Sequence, residues 1–153
     1  MRYWLMKSEP EAYSIDDLER DGREIWDGVR NYQARNYLRE MKEGDLAFFY
    51  HSNAKPPGVV GLMRIVKSGV VDPTQFDPES CYYDPKSTPE NPRWQTVEVE
   101  FVEKFPRMVP LAELRERFTA EELPLLKRGF RLSVMPVDAA VAENLLELAK
   151  NRT

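Results

Sequence analysis

Histidine and cysteine are nearly absent from this sequence, which holds one of each, His51 and Cys81, among 153 residues. A lone cysteine permits no internal disulfide and no thiolate cluster for zinc. Nucleophilic catalysis of the Ser-His-Asp or Cys-His kind would have to use His51, because an imidazole must accept and return a proton near neutral pH. The surrounding stretch Tyr50-His51-Ser52-Asn53 has no glycine elbow that would expose a strained nucleophile. A zinc deaminase needs three His or Cys ligands, more than the chain contains. The seven glycines never fall into GxxxxGK(S/T) or GxGxxG, which argues against P-loop NTPases, kinases and Rossmann dehydrogenases. No cofactor and no metal are expected, and binding is favoured over catalysis.

Long apolar runs are missing as well. Arg2 and Lys7 bracket too short an apolar stretch for a signal peptide, and nothing approaches a membrane span. The expected location is the cytoplasm, or the nucleus in a eukaryote, with no membrane partner and a monomeric state. A surplus of positive charge is also lacking. The net charge of −4 excludes coating of nucleic acid by charge alone, since that mode needs many Lys and Arg contacts to phosphate. A localised site stays open, because the cations are unevenly placed: Arg30, Arg35, Arg39 and Lys42 in one stretch, Lys127, Arg128 and Arg131 in another. Either run could equally be a solvated face.

With 42% hydrophobic and 31% charged residues, the chain has the composition of one globular domain, expected to span 1–153. Tyr3 to Met6 reads as a buried strand. Ser14 and Asp17 form a capping-box pattern for a short helix that Gly22 ends, and Asn31 caps a second helix through Ala34, Leu38 and Met41. Leu46–Tyr50 and Val59–Val66 read as strands joined through Pro56-Pro57-Gly58. Between Asp72 and Arg93 stand Pro73, Pro78, Pro85, Pro89 and Pro92, which exclude helix and central strand. A connection that long is either disordered or part of a binding site, and Phe76, Tyr82 and Tyr83 offer it apolar anchors. Val97, Val99 and Phe101 alternate with glutamates as in a half-buried antiparallel strand. Leu111, Leu114 and Phe118 suggest a short helix, and Thr119 with Glu122 a further capping box. Leu132 and Val134 suggest a last strand ending before Pro136, and Asp138 a closing helix that packs Val141, Leu145 and Leu148. The pattern is α+β, with a mixed or closed sheet.

Three polar-aromatic clusters sit at strand ends, where a rigid sheet positions binding groups: KSEP from Lys7, WDGVRNYQARN from Trp26, and YHSN from Tyr50. Together with YWLMKSEP, FFYHSN, PGVVG, DPTQFDP and RLSVMPV, they make the chain closely resemble the EVE-domain family over nearly its whole length. The resemblance implies a PUA-like β-barrel of mixed, largely antiparallel sheet with short peripheral helices, related to YTH and SRA-type base readers. It further implies a concave site for a modified base of DNA or RNA, with no catalytic machinery.

Physical chemistry makes such a site sensible. A base that leaves its stack must regain stacking on aromatic faces, for which Trp26 and Tyr50 are the candidates. Tryptophan is on average deeply buried, so a core role competes for Trp26. Short amides and hydroxyls read hydrogen-bonding edges, and Ser8, Asn31, Ser52 and Asn53 have that character, although helix capping competes for Asn31. His51 is a further pocket candidate, against the ordinary reading of a satisfied structural imidazole. Lys7, Arg30, Arg35 and Arg131 are candidates for phosphate contacts. Two alternatives remain: a protein-interaction module docking through loop 72–93, and a small nucleotide-processing enzyme using His51 and Glu9.

Overall fold

The computed structural model describes residues 1–150. Six strands, β1 (Tyr3–Ser8), β2 (Arg23–Ile25), β3 (Leu46–His51), β4 (Gly58–Val71), β5 (Gln95–Pro110) and β6 (Val134–Val137), form one sheet in the order β2-β5-β4-β3-β1-β6. The β1–β3 pair is parallel and every other neighbouring pair antiparallel. Four helices complete the fold: α1 (Ile15–Asp21), α2 (Tyr32–Glu40), α3 (Leu111–Arg117) and α4 (Ala139–Lys150).

Alternation along the strands divides the interior in two. Trp4 and Met6 of β1 and Ala47 and Phe49 of β3 pack with Leu18 of α1 and Leu38 of α2. Leu5 of β1 and Phe48 and Tyr50 of β3 point the other way, onto Leu114 of α3 and Leu145 of α4. A period of two sends successive side chains to opposite faces, so both faces of the central strands are buried and helices cover each.

The α+β class and mixed, largely antiparallel sheet agree with expectation, but the barrel does not. Strands β2 and β6 lie at opposite ends of the ladder, and no pairing among the described residues joins them. The edges are instead kept short: β2 has three residues and β6 four. Strand β6 also runs through Pro136, where a strand end was expected. An edge position tolerates proline because its missing N–H faces no neighbour.

The local signals act as anticipated at two helix starts. Ser14 accepts from the Asp17 amide while the Asp17 carboxylate accepts from the Ser14 amide, and Asn31 Oδ1 accepts from the Ala34 amide at 3.0 Å. Strand β2 was not anticipated, because three residues are too few to show a period.

Asp45 ties the chain's start to the β3 entry. Its carboxylate accepts from the Arg2 amide at 3.0 Å, the Trp4 indole Nε1 at 3.0 Å and the Lys42 amide at 3.0 Å. Burial opposes its charge, yet these donors outweigh burial and hold the carboxyl below its ordinary range. A depressed carboxyl contributes stability that is present above its unfolded pKa and lost as pH falls through the folded one. Asp45→Ala is therefore expected to cost about 1–3 kcal/mol at pH 7, chiefly by orphaning the buried Trp4 N–H. Urea denaturation checks this, and the gap from the parent should narrow below about pH 4, near the ordinary Asp pKa.

Candidate functional site

Because β1 and β3 are parallel, their carboxyl ends emerge side by side, with Ser8 opposite His51 and the Ser52 amide donating to the Ser8 carbonyl at 3.0 Å. The loops leaving these ends form one wall of a cleft of about 1160 Å³. Segment 24–31 forms another, Tyr82 closes it from loop 72–93, and Arg131 and Ser133 border it just before β6.

Of the residues singled out in the sequence, Lys7, Ser8, Trp26, Arg30, Asn31, Ser52, Asn53 and Arg131 line this cleft. Trp26 is both wall and core. It is 7% exposed, meets the Phe49 ring edge-on at 5.3 Å, and has its backbone clamped to β5 by the Val97 carbonyl and the Thr96 hydroxyl. Asn31 likewise caps α2 and faces the cleft. Ser8 Oγ donates to the Tyr13 carbonyl at 2.6 Å. Asn53 adopts a left-handed backbone, with φ of 50°, a region that asparagine tolerates better than most residues.

Three candidates do not line the cleft. Tyr50 has the parity opposite to Phe49 and is buried with α3 and α4 on the other face of the sheet. His51 Nε2 accepts from the Ile15 amide at 3.1 Å, which fixes its neutral tautomer as a structural partner of α1, and burial lowers its pKa. Arg35 lies beyond the rim on α2, where its Nη1 donates to the Arg93 carbonyl at 3.0 Å. Arg30, although it borders the cleft, has its donors engaged: Nε with the Tyr82 carbonyl, Nη1 with the Val29 carbonyl and Asp72, and Nη2 with Thr74. It fastens the loop, leaving little to grip a phosphate.

Loop 72–93 is an ordered wall, but not through its tyrosines, since Tyr82 and Tyr83 are exposed. Its anchor is polar. The fully buried Gln75 donates to the Asp72 and Trp94 carbonyls at 2.7 and 2.9 Å, and accepts from Ser87 Oγ at 2.5 Å. Asp72, 1% exposed, joins this loop to segment 24–31 by accepting from the Gly28 amide at 2.9 Å and pairing with Arg30 at 3.1 Å. Gly28 has φ of 81°, and a Cβ there would sit 2.7 Å from the Tyr82 ring, so only glycine lets that ring reach the cleft.

Sequence reasoning missed Tyr82 as a wall residue, and missed the acids Glu24 and Asp27. Aromatic pairs inside a proline-rich loop were the only available signal for the first. Burial followed by the charge of Asp72 raises the Asp27 carboxyl, and burial raises that of Glu24. Burial lowers the pKa of the Lys7 ammonium, which lies 6.0 Å from the Tyr50 ring and 5.7 Å from that of Phe130. Among the described residues no group of three or more His, Cys, Asp or Glu is placed to hold a metal, and no helix is long and apolar enough to cross a membrane.

A mixed α+β sheet, covered by helices on both faces and opening one polar-aromatic cleft at its strand ends, defines a domain built around a ligand-sized cavity. The chain belongs to the EVE domain family, whose profile matches residues 2–148. It is 46% identical to human thymocyte nuclear protein 1 over 95% of this chain and 73% of that protein. The crystal structure of human thymocyte nuclear protein 1 in complex with DNA containing 5-methylcytosine superposes with a TM-score of 0.93 at 43% identity, covering 100% of both chains. A Pseudomonas syringae protein of known structure matches with a TM-score of 0.92 at 50% identity, covering 96% of this chain and 99% of that one. The Mmi1 YTH domain, at a TM-score of 0.55 and 13% identity, shares the fold alone.

Removing the buried carboxylate in Asp72→Ala would leave Arg30 without its partner and both walls untied. The expected loss is about 2–4 kcal/mol, toward the lower side of a broken buried pair because Arg30 keeps some solvent. Hydrogen exchange is expected to quicken at residues 27–31 and 73–84 before it does in the sheet.

Proposed function

We propose that the cleft accepts one modified base, with 5-methylcytosine in DNA as the leading candidate, and holds it without transforming it. The observation that carries this reading is the joining, in one cavity, of aromatic walls at Trp26 and Tyr82 with short polar groups at Ser8, Asn31, Ser52 and Asn53. An extruded base forfeits stacking worth a few kcal/mol, and aromatic faces return it at about 1–3 kcal/mol each. The carboxyls of Glu24 and Asp27 suit the exocyclic amine of cytosine, a donor that carboxylates accept. A 5-methyl group that finds an apolar wall adds about 0.8 kcal/mol, enough for a severalfold preference. Lys7 and Arg131 line the cleft and have no ion-pair partner among the described residues, which leaves them available to a sugar-phosphate chain. The human relative solved with methylated DNA supports the same reading.

The two competing readings draw less support. Loop 72–93 is engaged as a cleft wall, which argues against its serving as a free docking strap. Glu9 lines the cleft but His51 does not, so the pair needed for proton transfer is not assembled.

Titrating labelled duplexes that carry one 5-methylcytosine against the plain sequence tests the proposal; tighter binding of the methylated duplex is expected, and equal affinities would remove it. Trp26→Ala is a poor probe, since emptying a core position of that size costs about 3–5 kcal/mol. Tyr82→Ala, at an exposed ring, is expected to bring the affinity ratio of methylated to plain DNA close to one with an unchanged circular dichroism spectrum.

The acids carry a second expectation. A carboxyl whose folded pKa is raised adds stability while protonated, and that contribution disappears as pH rises through the folded pKa. At pH 7 both therefore work against folding. Asp27→Asn is expected to raise the melting temperature at pH 7 and to lose that advantage as pH falls toward the ordinary carboxyl range, while changing base binding.

A further inference from the structure

Along α2, Tyr32, Arg35 and Arg39 fall at i, i+3 and i+7, which places them on one face of the helix. Tyr32 stacks on Trp94 with centroids 5.0 Å apart and planes 17° from parallel, yet remains 50% exposed. The Arg35 guanidinium lies 4.7 Å from the Tyr32 ring and 5.7 Å from the Trp94 ring. With the rings 5.0 Å apart, these distances close a compact triangle, so the guanidinium sits beside the stacked pair and not on the outer face of Tyr32. Arg93 adds a third guanidinium, 6.0 Å from Tyr32.

Two of these three guanidiniums have no carboxylate partner. Neither Arg35 nor Arg39 pairs with a carboxylate among the described residues: Arg35 donates to the Arg93 carbonyl and Asn36, and Arg39 to Gln95 at 2.7 Å. Arg93 pairs with Asp84 at 3.7 Å, and that carboxylate also accepts from the Trp94 indole at 2.7 Å. Arg35 Nε is buried with no hydrogen-bond partner. Burial, then the charges of Arg39 and Arg93, depress the Arg35 pKa. Arg35 and Arg39, close to each other and to Arg93 with no carboxylate of their own, form an arrangement of like charge that a bound anion would relieve.

We infer that Tyr32, Arg35, Arg39 and Arg93 form a second contact surface, separate from the cleft, that holds the phosphate backbone of the nucleic acid whose base enters the cleft. The inference rests on the base-reading proposal for its choice of anion. Asn31, at the rim, immediately precedes Tyr32, so the platform begins where the cleft ends. Arg35 and Arg39 are about 6 Å apart along the helix axis, comparable to two ~3.4 Å axial steps along one strand of B-DNA. Guanidinium forks match phosphate oxygens, and the stacked rings hold the forks in place. Because backbone contacts carry no base identity, the platform adds affinity and register while the cleft supplies discrimination.

The test measures binding of methylated and plain duplexes across a salt series for the parent, Arg39→Gln and Arg35→Gln; Arg39 is exposed, so its variant stays interpretable if Arg35→Gln fails to fold. Each substitution is expected to weaken both duplexes equally, by about three- to tenfold at low salt, and to flatten the log affinity against log salt slope by about 0.9 per phosphate lost. The ratio of methylated to plain affinity should not move. An unchanged slope overturns the platform, as does a loss confined to the methylated duplex, or capture of an acidic peptide by this face with DNA binding untouched. A parent protein that binds both duplexes equally sinks the base-reading proposal alone, because the slope comparison still decides the platform. A parent that binds neither duplex removes both.

Discussion

The buried carboxylate of Asp72 joins two parts of the chain that lie more than forty residues apart in sequence. One is segment 24–31, which begins in the short edge strand β2; the other is the proline-rich loop that leaves β4. By accepting from the Gly28 amide, pairing with Arg30 and holding the Thr74 amide and hydroxyl, Asp72 spends its capacity on both. Arg30 repeats the connection through the Tyr82 carbonyl and Thr74. A paired charge inside a protein must be fully hydrogen-bonded to be tolerated, and this one is satisfied by groups that together form the cleft's walls. Wall geometry and charge burial are thus one constraint.

The charge layout of the cleft follows a consistent logic. Both signs line it: Glu24 and Asp27, partly stripped of water, share the lining with Lys7 and Arg131, and Arg35 and Arg39 follow along α2. A cavity that only stored apolar surface would not hold carboxyls at a cost to folding. Desolvated polar groups kept at a concave site are those that a ligand satisfies, and the same groups give it selectivity, since a mismatched ligand leaves them unpaired. In a chain of net charge −4, Arg30 is cancelled by Asp72, but Lys7 and Arg131 line the cleft with no ion-pair partner among the described residues.

Much of the fold was legible because its signals are local. The Ser14–Asp17 capping box and the Asn31 cap act where they stand, and the alternation of Val97, Val99 and Phe101 depends only on strand geometry. The cleft was legible in part. KSEP, WDG and YHSN sit at strand ends, and the parallel β1–β3 pairing brings the first and last together. Tyr50 was misread because proximity in sequence to Ser52 and Asn53 says nothing about parity, and one residue's step along a strand moves a side chain to the opposite face. Arg30 was read as a free cation, but what a guanidinium does depends on its partners, and Asp72 and the Tyr82 carbonyl lie 42 and 52 residues away. Gln75 and Trp94, which order the loop, carry no pattern that marks them.

The sequence by itself determined the α+β class, most of the elements with their caps, and membership of the EVE domain family. Each of these is written in spacing, composition or contiguous motif. Only the tertiary structure decided that the sheet stays open, that Tyr82 and not Tyr50 stands in the cleft, and which arginines are occupied and which are left over. The physical reason is that hydrogen bonds and ion pairs are saturable: whether a charged group is free depends on whether a distant partner has already claimed it, and chain topology alone brings such partners together.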